Sequence, residues 1–163
     1  MKICYNCFCS IPDSVRVCPR CGSSAELGNG ELYLHALPCG AVLSGRYIVG
    51  RILGQGGFGI TYAGQDFQTK ELVAIKEYYP DAMASRIKSY SVVPSNTGRR
   101  EEFEYGKKQF LEEARTLAAF NGTPNIVRVY SFFKENGTVY FVMEYVRGKS
   151  LRQYIKSRGG RIS

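Results

Sequence analysis

Long apolar runs are missing from this chain. No apolar stretch follows Met1, so nothing reads as a secretory signal. The longest run, Thr138 to Val146, falls far short of the ~20 residues a membrane helix needs. The chain is therefore expected to carry no membrane segment and to be soluble and cytoplasmic. Histidine is nearly absent. The single one, His35, lies among Gly28, Asn29, Gly30, Pro38 and Gly40, and is expected to be solvated rather than a ligand. No aspartate follows Asp81. Chemistry that needs an aspartate or a histidine is thus excluded from residues 82–163.

The 163 residues are 44% hydrophobic, enough for an ordinary domain, or for a small module beside part of a larger one. The formal charge of +8 points to an acidic partner such as nucleotide phosphate. Four cysteine thiolates holding one Zn2+ would lower it to +6, and the remaining basic residues are spread along the chain. A nucleic-acid surface is accordingly not the expected reading.

Four of the six cysteines form Cys4-x2-Cys7 and Cys18-x2-Cys21, ten residues apart. Each Cys-x2-Cys turn offers two sulfurs to one metal edge, and two turns complete a tetrahedral thiolate site suited to structural zinc. Some 24 residues cannot build an apolar core, so the metal would supply the folding energy. Four thiolates leave no open position for catalytic water. Cys9 could replace Cys7 only through a looser knuckle, and Cys39 stands alone as a free thiol. The expected organisation is a zinc ribbon over 1–24, a linker with little regular structure over 25–44, and a larger domain over 45–163.

In that domain, Tyr47 to Leu53, Ile60 to Ala63, Leu72 to Lys76, Val127 to Phe133 and Thr138 to Tyr145 have strand character. Residues 101–120 repeat Phe103, Phe110, Ala114, Leu117 and Ala118 at helical spacing, and Asn121-Gly122 supplies a stop. Asn136-Gly137 favours a tight hairpin turn. The order β-β-β-α-β-β predicts an α+β fold: a five-stranded antiparallel sheet carrying one helix.

Gly54-Gln55-Gly56-Gly57-Phe58-Gly59 fits G-x-G-x-x-G. Dinucleotide-binding folds share that pattern, but their loop leads from a strand into a helix. Here strand residues lie on both sides, which makes a hairpin lid. The glycines are expected to bring backbone amides close to phosphates and to adopt positive φ. Val73-Ala74-Ile75-Lys76 follows, with Lys76 seventeen positions after Gly59. A strand lysine at that distance can neutralise phosphate charge. Phe110 to Ala114 offers Glu112 and Glu113 as an acidic partner, with Glu113 nearer the buried face.

These motifs, with Tyr140 to Val146 and Pro124 to Val127, resemble the N-terminal lobe of bacterial, eukaryotic-like Ser/Thr protein kinases that begin with a zinc ribbon. The resemblance covers residues 46 to about 157. It implies ATP, with Mg2+ in the complete enzyme, and a protein substrate. Lys76 and Glu113 would be the ion pair that serves catalysis. Met143 would be the gatekeeper, and Phe58 the tip of the phosphate loop Gly54–Gly59. The Glu144 carbonyl and Val146 amide would hold the adenine edge, with Leu53, Thr61 and Ala74 around its ring. Thr61 replaces the usual valine.

Two departures stand out. Thirty-six residues separate Lys76 and Glu113, far more than usual, and the basic excess at 80–105 is expected to be a surface loop, with a docking role as the alternative. The catalytic-loop and metal-binding aspartates of phosphoryl transfer are absent. Acting alone, this chain should be inactive. The alternative function is a non-catalytic module in which ribbon and lobe bind a protein or nucleic-acid partner.

Overall fold

The computed structural model describes residues 1–26, 28–29 and 33–160. Strands β1 (Lys2–Ile3) and β2 (Ser10–Ile11) pair antiparallel in the cysteine-rich segment, where the buried cluster is small: Cys4, Ile11 and Cys18. The main sheet contains β3 (Val42–Leu43), β4 (Tyr47–Gly56), β5 (Gly59–Asp66) and β6 (Leu72–Tyr78). A small separate hairpin, β7 (Ala84–Arg86) and β8 (Val92–Pro94), precedes helix α1 (Arg100–Ala119). Then come β9 (Val129–Glu135), β10 (Thr138–Glu144) and the short helix α2 (Leu151–Ser157).

The main sheet has six antiparallel strands in the order β3-β4-β5-β6-β10-β9, not five. The extra strand, β3, comes from the stretch expected to be an irregular linker. That stretch is packed: Leu37 is fully buried, and Asn29 is buried with its side chain bonded to backbone. Ala36, Leu37 and Leu43 enter the sheet's core, with Ala41 packed beside them, and seat the segment on the sheet. The β9–β10 hairpin turns at Asn136-Gly137, both with positive φ, as the tightest hairpin loops require.

The pleat of β6 divides the structure into two layers. Ala74, Lys76 and Tyr78 point to one face, and Val73, Ile75 and Glu77 to the other. Helix α1 covers the first face, burying Phe103, Phe110, Leu111 and Ala114. Tyr78 packs against Phe103 and Phe110, with ring centroids 5.4 and 5.6 Å away, and its hydroxyl donates to the Phe103 carbonyl. Gly106 makes this possible, because a Cβ there would collide with the Tyr78 ring.

The second face is covered by residues 36–41 and by the segment 79–94. Tyr79, Ala84 and Val92 are buried in the main core, so this part of the excess before α1 is not the surface loop expected from its polar sequence. At the sheet's start, Arg46 grips Asp66 through Nε and Nη2 at 2.7–3.0 Å, joining the beginning of β4 to the end of β5. This bidentate contact holds the Asp66 carboxyl below its ordinary range despite burial.

Candidate functional site

On the helix-covered face, Lys76 lies across the ladder from Thr61 and Phe141. Its Nζ sits 5.6 Å from the Phe110 ring and 5.3 Å from the Phe141 ring, and donates to Glu113 Oε1 at 3.1 Å. Glu112 turns away and pairs with Arg115 one helical turn on. A cavity of about 670 Å³ beside this pair is lined by Phe58, Lys76, Phe110, Glu112 and Glu113, among others.

A second cavity, of about 380 Å³, gathers Leu53, Thr61, Ala74, Met143, Glu144 and Val146. Register explains the convergence. Ala74 faces Met143 across β6–β10, and Gly54, just beyond Leu53, faces Thr61 across β4–β5. Tyr145, Val127, Gly148 and Gln153 complete the wall, and the sequence analysis assigns none of these four to the nucleotide site. Glu144 also closes on Arg128: its N–H donates to the Arg128 carbonyl at 2.8 Å.

The hairpin tip differs from the expectation in one respect. None of Gly54, Gly56, Gly57 and Gly59 has φ in the left-handed region. Gly54, Gly56 and Gly57 instead face open space, and Gly54 to Gly57 line neither cavity. Gly59 is constrained differently: a Cβ there would run into the Glu77 carbonyl. Gln55 is exposed beside the glycines, Phe58 projects at the tip, and the Tyr79 N–H donates to the Phe58 carbonyl at 3.1 Å. The loop is thus an extended hairpin whose glycines keep its surface bare rather than making a left-handed turn.

On the opposite face lies a cluster that sequence reading missed. Glu77 is fully buried and accepts from Arg86 Nη2 at 2.8 and 2.9 Å, from the Tyr62 hydroxyl at 2.8 Å and from the Tyr140 hydroxyl at 2.8 Å. Arg86 Nε also donates to the His35 carbonyl at 2.7 Å, and the guanidinium stacks over Tyr79. Burial first, and then the nearby Glu77 charge, push both phenols well above their ordinary range, so they stay protonated donors.

In the cysteine-rich segment, the sulfurs of Cys4, Cys7, Cys18 and Cys21 lie within 4.8 Å of one another. Cys4–Cys21 and Cys7–Cys18 are 3.6 and 3.7 Å apart. Tetrahedral zinc with bonds of about 2.3 Å requires sulfur separations of roughly 3.8 Å, so the geometry fits that ion. Cys9 is close as well, 3.3 Å from Cys7 and 3.5 Å from Cys18.

Residues 47–163 match the sequence profile described as protein kinase domain. The chain therefore belongs to the protein kinase domain family. It is similar to serine/threonine-protein kinase B of Synechocystis sp., with 29% identity over 98% of this chain and 23% of that protein. It is also similar to serine/threonine-protein kinase PrkC of Bacillus subtilis, with 31% identity over 74% of this chain and 16% of that protein. Among solved structures, the one titled "PpkA-294 apo form" superposes with a TM-score of 0.71 at 32% identity, covering 76% of this chain and 43% of that one. The chain thus spans less than a quarter of the length of these two curated relatives. Among the described residues, no helix is long and apolar enough to cross a membrane.

Proposed function

We propose that residues 45–163 form the ATP-binding lobe of a Ser/Thr protein kinase and the start of its large lobe, preceded by a structural zinc ribbon at 1–24. The observation that carries this reading is the Lys76–Glu113 contact at 3.1 Å, beside a hairpin of bare glycines and a separate apolar hollow. Lys76 is the group that meets the α- and β-phosphates, and Glu113 orients it. The hollow bounded by Leu53, Thr61, Ala74 and Met143 suits a flat purine, with Glu144 and Val146 backbone at its polar edge.

ATP supplies the phosphoryl group when bound. This chain's share of the work is to hold and orient it. The residues present do not complete a Mg2+ site: no aspartate follows Asp81, and the carboxylate that reaches Lys76, that of Glu113, is engaged by the ammonium. No transfer step is assigned to this chain. Transfer to a protein hydroxyl belongs to a complete kinase domain. Cys4, Cys7, Cys18 and Cys21 hold the zinc, with no catalytic part in the reaction.

The test is Lys76→Met. In a complete kinase domain carrying this lobe, it should reduce transfer by orders of magnitude while the protein stays folded. Transfer at the parent rate would refute the assignment. Metal analysis of the 163-residue chain should give about one zinc per chain, retained in Cys9→Ser. Loss of metal in that variant would move Cys9 into the ligand set.

A further inference from the structure

The two cysteine knuckles have the same backbone and different residues at one decisive place. In each, the residue after the second cysteine donates its N–H to the carbonyl of the first: Phe8 to Cys4 at 2.7 Å, Gly22 to Cys18 at 2.8 Å. In each, that residue adopts the left-handed conformation, with φ of 58° at Phe8 and 72° at Gly22. Glycine takes this shape without strain, whereas a bulky aromatic does not. The second knuckle has the residue its geometry favours. The first has phenylalanine, and something outside the ribbon compensates for it.

The Phe8 ring is buried outside the ribbon. It packs with Ile48 of β4 and Ala63 of β5, with Tyr5, Leu72 and Tyr145 against the same cluster. Tyr145 lies between Glu144 and Val146, the two residues assigned to the adenine edge. Gly50 is bare where the ribbon lands, since a Cβ there would come within 2.6 Å of the Phe8 ring.

The backbone beneath the ring makes the contact specific. The β4–β5 ladder slips between Val49 and Ile52, leaving backbone groups without strand partners. The Arg51 N–H donates instead to the Tyr5 carbonyl at 3.0 Å. Asn29 Nδ2 donates to the Gly50 carbonyl at 2.8 Å, and the Ile52 N–H donates to Asn29 Oδ1 at 3.1 Å. Leu53, the first wall of the purine hollow, comes next in the chain. The ribbon and the segment after it therefore hold both the root of the glycine hairpin and the stretch Glu144 to Val146.

We propose that Phe8 is a positioning residue for the nucleotide site, and that zinc in the ribbon and nucleotide in the lobe bind with positive coupling through it. The coupling rests on the zinc and nucleotide assignments above. Zinc fixes the knuckle, the knuckle presents Phe8, and Phe8 sets Tyr145 and the β4 slip. Coupling of this kind is reciprocal and typically changes affinity by about 5–150-fold.

Phe8→Gly tests it, because it leaves the knuckle with its favoured residue and removes only the ring. ADP affinity of the 163-residue chain is measured by calorimetry for the parent and for Phe8→Gly, each with zinc bound and after zinc is stripped and the chelator removed. The expected result is about one zinc in Phe8→Gly, ADP binding weakened at least about fivefold, and a further loss on stripping zinc in the parent but not in the variant. Equal ADP affinity in zinc-loaded parent and variant would overturn the proposal. So would a parent whose ADP affinity ignores zinc, a comparison that stands even if the variant does not fold. A parent that binds no ADP would overturn the nucleotide assignment itself and the coupling with it. That outcome is distinct from a parent that binds ADP equally with and without zinc.

Discussion

Lys76 and Glu77 are neighbours on one strand, each with an ionic partner, and the two pairs have opposite characters. The Lys76–Glu113 side chains keep 31% and 51% of their exposure, whereas Arg86 and Glu77 keep 8% and none. An exposed pair contributes about 0–1 kcal/mol and opens readily. A buried pair is held by the high energy of either charge left alone. One strand thus presents an adjustable charge to the cleft and a fixed one to the core behind it. The fixed pair also draws residues 35 and 86 together over the sheet.

Removing half of the fixed pair should give the largest effect. Arg86→Ala leaves the Glu77 carboxylate buried with two phenols as its remaining donors, and should destabilise the fold by about 3–5 kcal/mol in urea titrations. A loss below about 1 kcal/mol would show that Glu77 reaches water and erase the contrast. Replacing both charges, Glu77→Leu with Arg86→Met, should recover part of that loss. The remaining deficit, about 1–3 kcal/mol, would be that of the Tyr62 and Tyr140 hydroxyls left without an acceptor. A double variant no better than Arg86→Ala would show that the pair does more than neutralise itself.

The Arg46–Asp66 contact is intermediate, with Arg46 partly in water. Asp66→Asn should lower stability at neutral pH by about 1 kcal/mol. The Asp66 pKa is depressed in the folded state, so its contribution is fully present above the unfolded value near 3.9 and is lost as pH falls through the folded value. The gap between parent and variant should therefore close in acid. A gap unchanged from pH 7 to pH 2 would remove the ionic explanation. The smallest effect should come from Lys76→Met, below about 1 kcal/mol in stability. A loss as large as that of Arg86→Ala would mean that the two pairs do not differ as described.

The helix-covered face was legible in the sequence because its determinants are local. Gly54 to Gly59, Val73 to Lys76 and the spacing of Phe110 and Ala114 each fix an element within a few residues, and the strands fell within a few positions of their expected ends. The helical period put Glu113 nearer the buried face than Glu112, and the family resemblance pointed to the same residue. The other face was not legible. Glu77 gains its meaning from Tyr62, Arg86 and Tyr140, which lie 9 to 63 positions away. Arg86 in a polar stretch looks solvated until the chain folds back. The segment 25–44 looked like a linker because a two-residue strand and one buried asparagine carry no periodic signal. Phe8 did leave a local sign: it stands where the second knuckle has Gly22.

The sheet is also pinned across its width. The Ser44 N–H, at the turn after β3, donates to Glu135 Oε2 at 2.7 Å, and Tyr47 stacks on Phe133 at 6.1 Å. These contacts join the β3–β4 corner to β9, the strand at the other end of the six-strand order, between residues 91 and 86 positions apart in the chain. Closing so long a loop is entropically unfavourable before the intervening hairpins exist, so this seam is expected to form after them during folding. Interactions that form late chiefly govern how fast a protein comes apart. The seam between Ser44 and Glu135 therefore acts on the lifetime of the folded lobe more than on the speed with which it is reached.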